Sequence, residues 1–232
     1  MTPPHSAAPT TEAPATLHAT AVLLDLDGTI TDSAPAITSA IAETLAAFGY
    51  PPETPEQLLR HVGPPIRDGL LEFGGVREED LEAMVEHYRA LYSERMLDVE
   101  LFDGVPELIR SLRAAGVPLA VATSKMRHMA VPILEHAGLA DEFTVICGAT
   151  PDESRSTKAQ IVEDALAGLA AAGADVSRAV MVGDRHHDVD GATEHGIPVI
   201  LVEWGYAQPG EEAGAHALVR SADELAAVLG AA

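Results

Sequence analysis

The sequence predicts an α/β fold, a Rossmann-like doubly wound parallel sheet with an all-helical module inserted behind its first strand. Three observations carry that prediction. Unbroken apolar runs recur at 21–24, 117–122, 143–147, 179–182 and 197–202, the pattern of strands buried on both faces. Helix-like stretches at 105–115, 127–137, 157–172 and 187–195 alternate with them, and Gly116, Gly138, Gly173 and Gly196 stand where those helices would stop. The interval 34–100 breaks the alternation, because it separates the first two strands without supplying a strand of its own.

Along the chain, residues 1–16 place Pro3, Pro4, Pro9 and Pro14 among Ala, Thr and Ser with no hydrophobic period, which reads as a flexible tail. Residues 17–33 and 101–232 are expected to form the core domain and 34–100 a cap inserted into it. Within the cap, Ile37, Ile41, Thr44, Leu45 and Phe48 follow helical spacing, as do Leu81, Met84, Val85, Tyr88, Leu91 and Tyr92. Residues 78–100 carry eight acids against Arg89 and Arg95, a solvated helix face rather than a partner site.

The chain has 232 residues, 47% hydrophobic and 22% charged, enough apolar material to bury a core. Its formal charge of −22 repels nucleic acid polymers and anionic membranes, so an anionic substrate needs cations concentrated locally. The single cysteine, Cys147, is expected to be a small buried strand residue and excludes an internal disulfide or a CxxC metal knuckle. No apolar stretch approaches the ~18 residues of a membrane span, and the first basic residue is Arg60, so no basic leader precedes the fold. A cytoplasmic protein, monomeric or weakly dimeric, is expected.

In an open parallel sheet ligands bind at the carboxyl ends of the strands, and these ends are unusually polar here. The first leads into Asp25-Leu26-Asp27-Gly28-Thr29, the second into Thr123-Ser124-Lys125, and the fourth into Gly183-Asp184-Arg185-His186-His187-Asp188, while Lys158 opens the helix after the third. Asp25 and Asp27 lie two apart, about 6–7 Å along an extended chain, so a phosphorus atom fits between them, one carboxylate attacking and the other serving the leaving oxygen. Gly28 lets the chain turn there. Asp184 and Asp188, four apart at a helix start, are able to face one hard cation, with Mg2+ the natural choice for oxygen ligands and a phosphate. Lys125 and Lys158 are the only lysines in a chain with twelve arginines, and both fall in this set. His186 and His187 are adjacent, so on a helix they should diverge by about 100° and not chelate one ion.

These four segments, in order and spacing, resemble the motifs of the haloacid dehalogenase superfamily, and the insertion resembles the helical cap of its phosphoglycolate phosphatase-like branch, which includes 5′-nucleotidases. Val62-Gly63-Pro64-Pro65, residues 154–158 and Trp204-Gly205-Tyr206 resemble that branch too. The resemblance implies that Asp25 is a nucleophile forming an aspartyl-phosphate, Asp27 the general acid/base, and Thr123 and Lys158 holders of phosphate oxygens. It also implies Mg2+ on Asp25, Asp27 (through its carbonyl) and Asp184, with Asp188 a direct or water-linked ligand. Gly28, Thr29, Ser124 and Lys125 are then further phosphate contacts, and Arg67, just past the Gly-Pro-Pro turn, the cap cation expected to meet the leaving group. The implied activity is Mg2+-dependent hydrolysis of a small phosphorylated metabolite such as phosphoglycolate, a nucleoside monophosphate or a sugar phosphate. A phosphoryl transferase or mutase working through the same intermediate, including transfer to or from a protein side chain, fits the motifs as well. No GxxxxGK[ST] or GxGxxG loop exists, which disfavours a nucleotide-dependent P-loop kinase.

Overall fold

The computed structural model describes residues 15–230, so the tail expected over 1–16 lies outside the described residues except for Ala15 and Thr16. The Ala15 carbonyl accepts from His216 Nε2, and the Leu17 amide donates to Val228, so the chain enters the fold against its C-terminal helix.

Strand β1 (Ala21–Leu24) is followed at once by a tight turn and the two-residue strand β2 (Thr31–Asp32). Four helices come next: α1 (Ala34–Ala47), α2 (Pro55–Leu59), α3 (Ile66–Glu72) and α4 (Glu78–Ser93). Strand β3 (Glu100–Leu101) then pairs antiparallel with β2, closing the stem of the helical insertion. Glu100 lies inside the interval expected to be free of strand; two residues of pairing are too short to leave a period-2 signal.

From there the chain alternates: α5 (Val105–Ala114), β4 (Leu119–Met126), α6 (Arg127–His136), β5 (Val145–Ala149), α7 (Lys158–Ala171), β6 (Ala179–Gly183), α8 (His186–Thr193) and β7 (Val199–Val202). Strand β8 (Ala217–Val219) and helix α9 (Ala222–Leu229), which the sequence reading did not anticipate, complete the fold. The six-stranded sheet has the order β5-β4-β1-β6-β7-β8 with every pairing parallel. This is a doubly wound sheet, and β1 stands beside β4 and β6 at its middle.

Side chains alternate along β1: Val22 and Leu24 join one hydrophobic cluster with α5, α6 and α9, while Ala21 and Leu23 join the other with α7 and α8. A third cluster, built on Ile37, Ile41, Leu45, Leu70, Met84, Tyr88 and Tyr92, belongs to the inserted helices. Strand β5 differs from the expectation of strands buried on both faces. It is the sheet edge, and Cys147 on it is half-buried rather than buried. Strand β4 runs four residues past its expected end, with a register shift between Thr123 and Met126, so Lys125 lies in an irregular strand end and not in the first turn of α6.

Candidate active site

The carboxyl ends of β1, β4 and β6 meet at one buried point. The backbone amide of Asp25 donates to Val182, tying the end of β1 to that of β6. Gly28 takes φ +84° in the turn that follows, and its amide donates to the Thr31 carbonyl. That turn brings Asp27 back over the sheet end. Helix α7 opens with a capping box in which Thr157 and Gln160 exchange side-chain-to-backbone bonds, which fixes the direction in which Lys158, its first residue, enters the site.

Lys158 Nζ lies 3.0 Å from Asp25 Oδ1, 2.8 Å from Asp188 Oδ1 and 3.1 Å from the Ala122 carbonyl. Burial pulls this ammonium down, but the Asp188 and Asp25 carboxylates outweigh it and hold it above the ordinary lysine range. Asp25 Oδ1 also accepts from the Leu26 amide at 2.8 Å. Burial, only partly offset by Lys158 and reinforced by Asp188 and Asp27, pushes the Asp25 carboxyl up to about 6. Asp184, fully buried, is raised well above the carboxylate range by burial and by Asp188 and Asp25. Its Oδ2 accepts from the Tyr206 amide at 2.7 Å, while Oδ1 is buried with no hydrogen-bond partner.

Ligand oxygens of Asp25, Asp184 and Asp188 lie within 4.8 Å of one another, the only such group among the described residues. Three buried carboxylates facing one lysine leave an excess of negative charge, and the unpartnered Asp184 oxygen is free to ligate a cation. The all-oxygen donor set fits a hard divalent cation. Asp188 does two things at once, since its Oδ2 accepts from the amides of Asp184 and Arg185, both at 3.1 Å, and so also holds the start of α8.

Thr123 is buried, its Oγ1 accepting from the Lys125 amide at 3.2 Å. Lys125 Nζ sits 3.0 Å from Asp27 Oδ2 and donates to Tyr92 Oη of α4 at 2.7 Å, lying over that ring. Asp27 Oδ1 and Thr29 Oγ1 are buried without partners. Ser124 and Lys125 line a cleft between the inserted helices and the sheet, and Asp27 stands at its floor. Arg67 does not line that cleft; its guanidinium is bound to Glu82 and, at 2.6 Å through Nε, to Glu153. The rings of His186 and His187 do not diverge as helix geometry alone suggested. Their centroids are 3.8 Å apart, with His186 Nδ1 3.1 Å from Glu211 Oε1, and neither joins the carboxylate group.

Arg185 and Glu153 were given no role by the sequence reading, and Tyr206 was quoted there only within its motif. Arg185, 3% exposed, donates from Nη1 to the Val62 carbonyl of the insertion and from Nε to Glu211 at 2.6 Å, which fastens the Gly63-Pro64-Pro65 turn over the site. Glu153, in the loop before α7, binds Arg67 and Arg89 of the insertion. Tyr206 Oη donates to Asp32 at 2.6 Å and accepts from the Ala34 amide, bracing the stem. Arg185 was visible as a cation inside an acidic motif and Tyr206 as the end of Trp204-Gly205-Tyr206; Glu153 carries no local signal.

The comparisons agree with this geometry. A family model described as haloacid dehalogenase-like hydrolase matches residues 22–202. The tyrosine-protein kinase PtkA of Mycobacterium tuberculosis is 45% identical over 188 residues, 81% of this chain; this chain spans 63% of the length of that relative. A phosphoglycolate phosphatase of Caulobacter vibrioides is 33% identical, with 88% of each chain covered. The crystal structure of a predicted phosphatase from Clostridium acetobutylicum superposes with a TM-score of 0.82 at 36% identity, covering 89% of this chain and 96% of the other.

Proposed function

This chain belongs to the haloacid dehalogenase-like hydrolases, and on that footing we propose that it is a Mg2+-dependent phosphomonoester hydrolase that works through a phosphorylated Asp25. The observation that carries the reading is the placement of Asp25 and Asp27 at one strand end, with Lys158 bonded to the first and an unpartnered buried oxygen on the second.

Lys158 and the Leu26 amide both hold Asp25 Oδ1, which fixes the carboxylate and leaves Oδ2 to attack phosphorus. Lys158 offsets part of the charge that would otherwise repel an incoming phosphate. The Gly28 and Thr29 amides already donate within the turn, so the hydroxyls of Thr123, Ser124 and the unpartnered Thr29 are the donors that would meet the phosphate oxygens. Asp27, two residues on, delivers a proton to the leaving oxygen and then takes one from the water that hydrolyses the intermediate. Asp25, Asp184 and Asp188, with the Asp27 carbonyl, would hold Mg2+, which when bound supplies charge neutralisation for the phosphate and the carboxylates. Small phosphorylated metabolites fit a site closed over by a helical insertion.

Transfer of the phosphoryl group to a protein hydroxyl is a second reading, favoured by the 45% identity with the mycobacterial tyrosine-protein kinase PtkA. The test is phosphate release from a panel of small phosphomonoesters with Mg2+ present. Release by the unaltered chain and none by Asp25→Asn supports the hydrolase. Release that falls as a tyrosine-bearing acceptor is added, with label passing to it, supports transfer instead.

A further inference from the structure

The cleft that opens on Asp27 is lined by side chains of both the inserted helices and the sheet, where a leaving group would lie. Its walls are apolar. Ile37, Pro65, Ile66 and Met129 face a pair of tyrosines, Tyr88 and Tyr92, whose rings lie parallel at 7° with centroids 5.7 Å apart. Hydroxyls of Tyr88, Ser124 and Ser156 and the charged groups Asp27, Arg89, Lys125 and Glu153 supply the rest of its lining.

Cations stand at the cleft, yet each is already matched. Lys125 is taken by Asp27 and Tyr92. Arg89 is bound to Glu153, and so is Arg67 behind it, which in addition spans both oxygens of Glu82 at 2.5 Å. His61, buried in the lining, is bonded to Glu53 at 2.9 Å, and burial lowers its imidazole. A leaving group that carries its own carboxylate would enter a cleft whose positive charge is spent and would meet Asp27 and Glu153.

We propose, resting on the hydrolase reading above, that this cleft selects an uncharged leaving group with a flat apolar part, and that Glu153 and Tyr88 set that choice. Glu153 occupies the two guanidiniums that would otherwise receive an anionic leaving group. Lys125 covers the Tyr92 ring, so Tyr88, which also lines the cleft, is the ring against which an aromatic group packs. An ester of glycolate, whose leaving group is a small carboxylate, is refused on charge.

Three esters of primary alcohols test this: ethyl phosphate, 2-phosphoglycolate, in which a carboxylate replaces the methyl group, and 2-phenylethyl phosphate. Chemistry alone favours 2-phosphoglycolate, since its carboxylate makes the alcohol more acidic. The expected order of kcat/KM is nevertheless 2-phenylethyl over ethyl by at least about tenfold and ethyl over 2-phosphoglycolate by about tenfold. Glu153→Gln, which frees Arg67 and Arg89 at nearly constant size, should raise the ratio of 2-phosphoglycolate to ethyl phosphate by about tenfold. Tyr88→Leu should bring the 2-phenylethyl to ethyl ratio towards one. A preference of the unaltered chain for 2-phosphoglycolate, or ratios unmoved by both variants, would overturn the proposal and leave the hydrolase reading standing. No phosphate released from any of the three, nor from p-nitrophenyl phosphate, would overturn the hydrolase reading and this inference with it.

Discussion

An added Cβ at Gly28 would stand 2.2 Å from Asp184 Oδ2, and one at Gly183 would stand 2.1 Å from Asp188 Cγ. Glycine here makes room for a carboxylate as well as for a turn. Gly28→Ala, strained also by its φ of +84°, should therefore displace Asp184, and isothermal titration should show Mg2+ affinity weakened at least about tenfold. Asp25→Asn should abolish phosphate release while holding or raising the Tm of the metal-free protein, because the amide removes a buried negative charge. A lowered Tm would mean that the Lys158–Asp25 pair stabilises more than the crowding of carboxylates costs. At this scale the sequence displayed Asp25, Asp27, Lys158, Asp184 and Asp188, since each sits at a strand or helix end that periodicity locates. Arg67 shows the limit of such reading: spacing put it past a turn, but only the fold brings Glu82 and Glu153 to its guanidinium.

Helix α7 shows how an element aims a side chain. Thr157 and Gln160 form its capping box, and Lys158 follows the cap directly. Thr157→Ala should cost about 1 kcal/mol, a Tm fall of roughly 2–4 °C by calorimetry in a chain of this size. It should also lower kcat as the frayed end lets Lys158 move from Asp25. The central strands and long helices were legible because burial on both faces or one gives clear runs and periods. Strands β2, β3 and β8 were not, being two or three residues long and held by pairing rather than by pattern. The extension of β4 through Lys125 was hidden for a different reason, since Thr123-Ser124-Lys125 is polar and reads as a loop until β5 and α4 are seen beside it.

For the whole molecule the governing quantity is charge, −22 overall, with Asp25, Asp184 and Asp188 gathered in its interior. Asp25 is raised from 3.8 in the open chain to about 6 in the fold, and Asp184 is raised in the same direction. The folded state thus binds these protons more tightly, so the stability they confer is complete below pH 3.8 and is lost as pH rises through about 6. The Tm of the metal-free protein should carry a component that falls across that window, and saturating Mg2+ should remove it by raising Tm more at pH 8 than at pH 5. An equal Tm gain at both pH values would place Mg2+ elsewhere than among these carboxylates. The central claim is that phosphorus passes through a bond to Asp25. Its most direct measurement is acid quenching during steady turnover with Mg2+ and a good phosphomonoester, followed by borohydride reduction and peptide mass spectrometry. Conversion of Asp25 alone to homoserine is the expected result; continued turnover with Asp25 unmodified, or with the reduced residue found elsewhere, would contradict it.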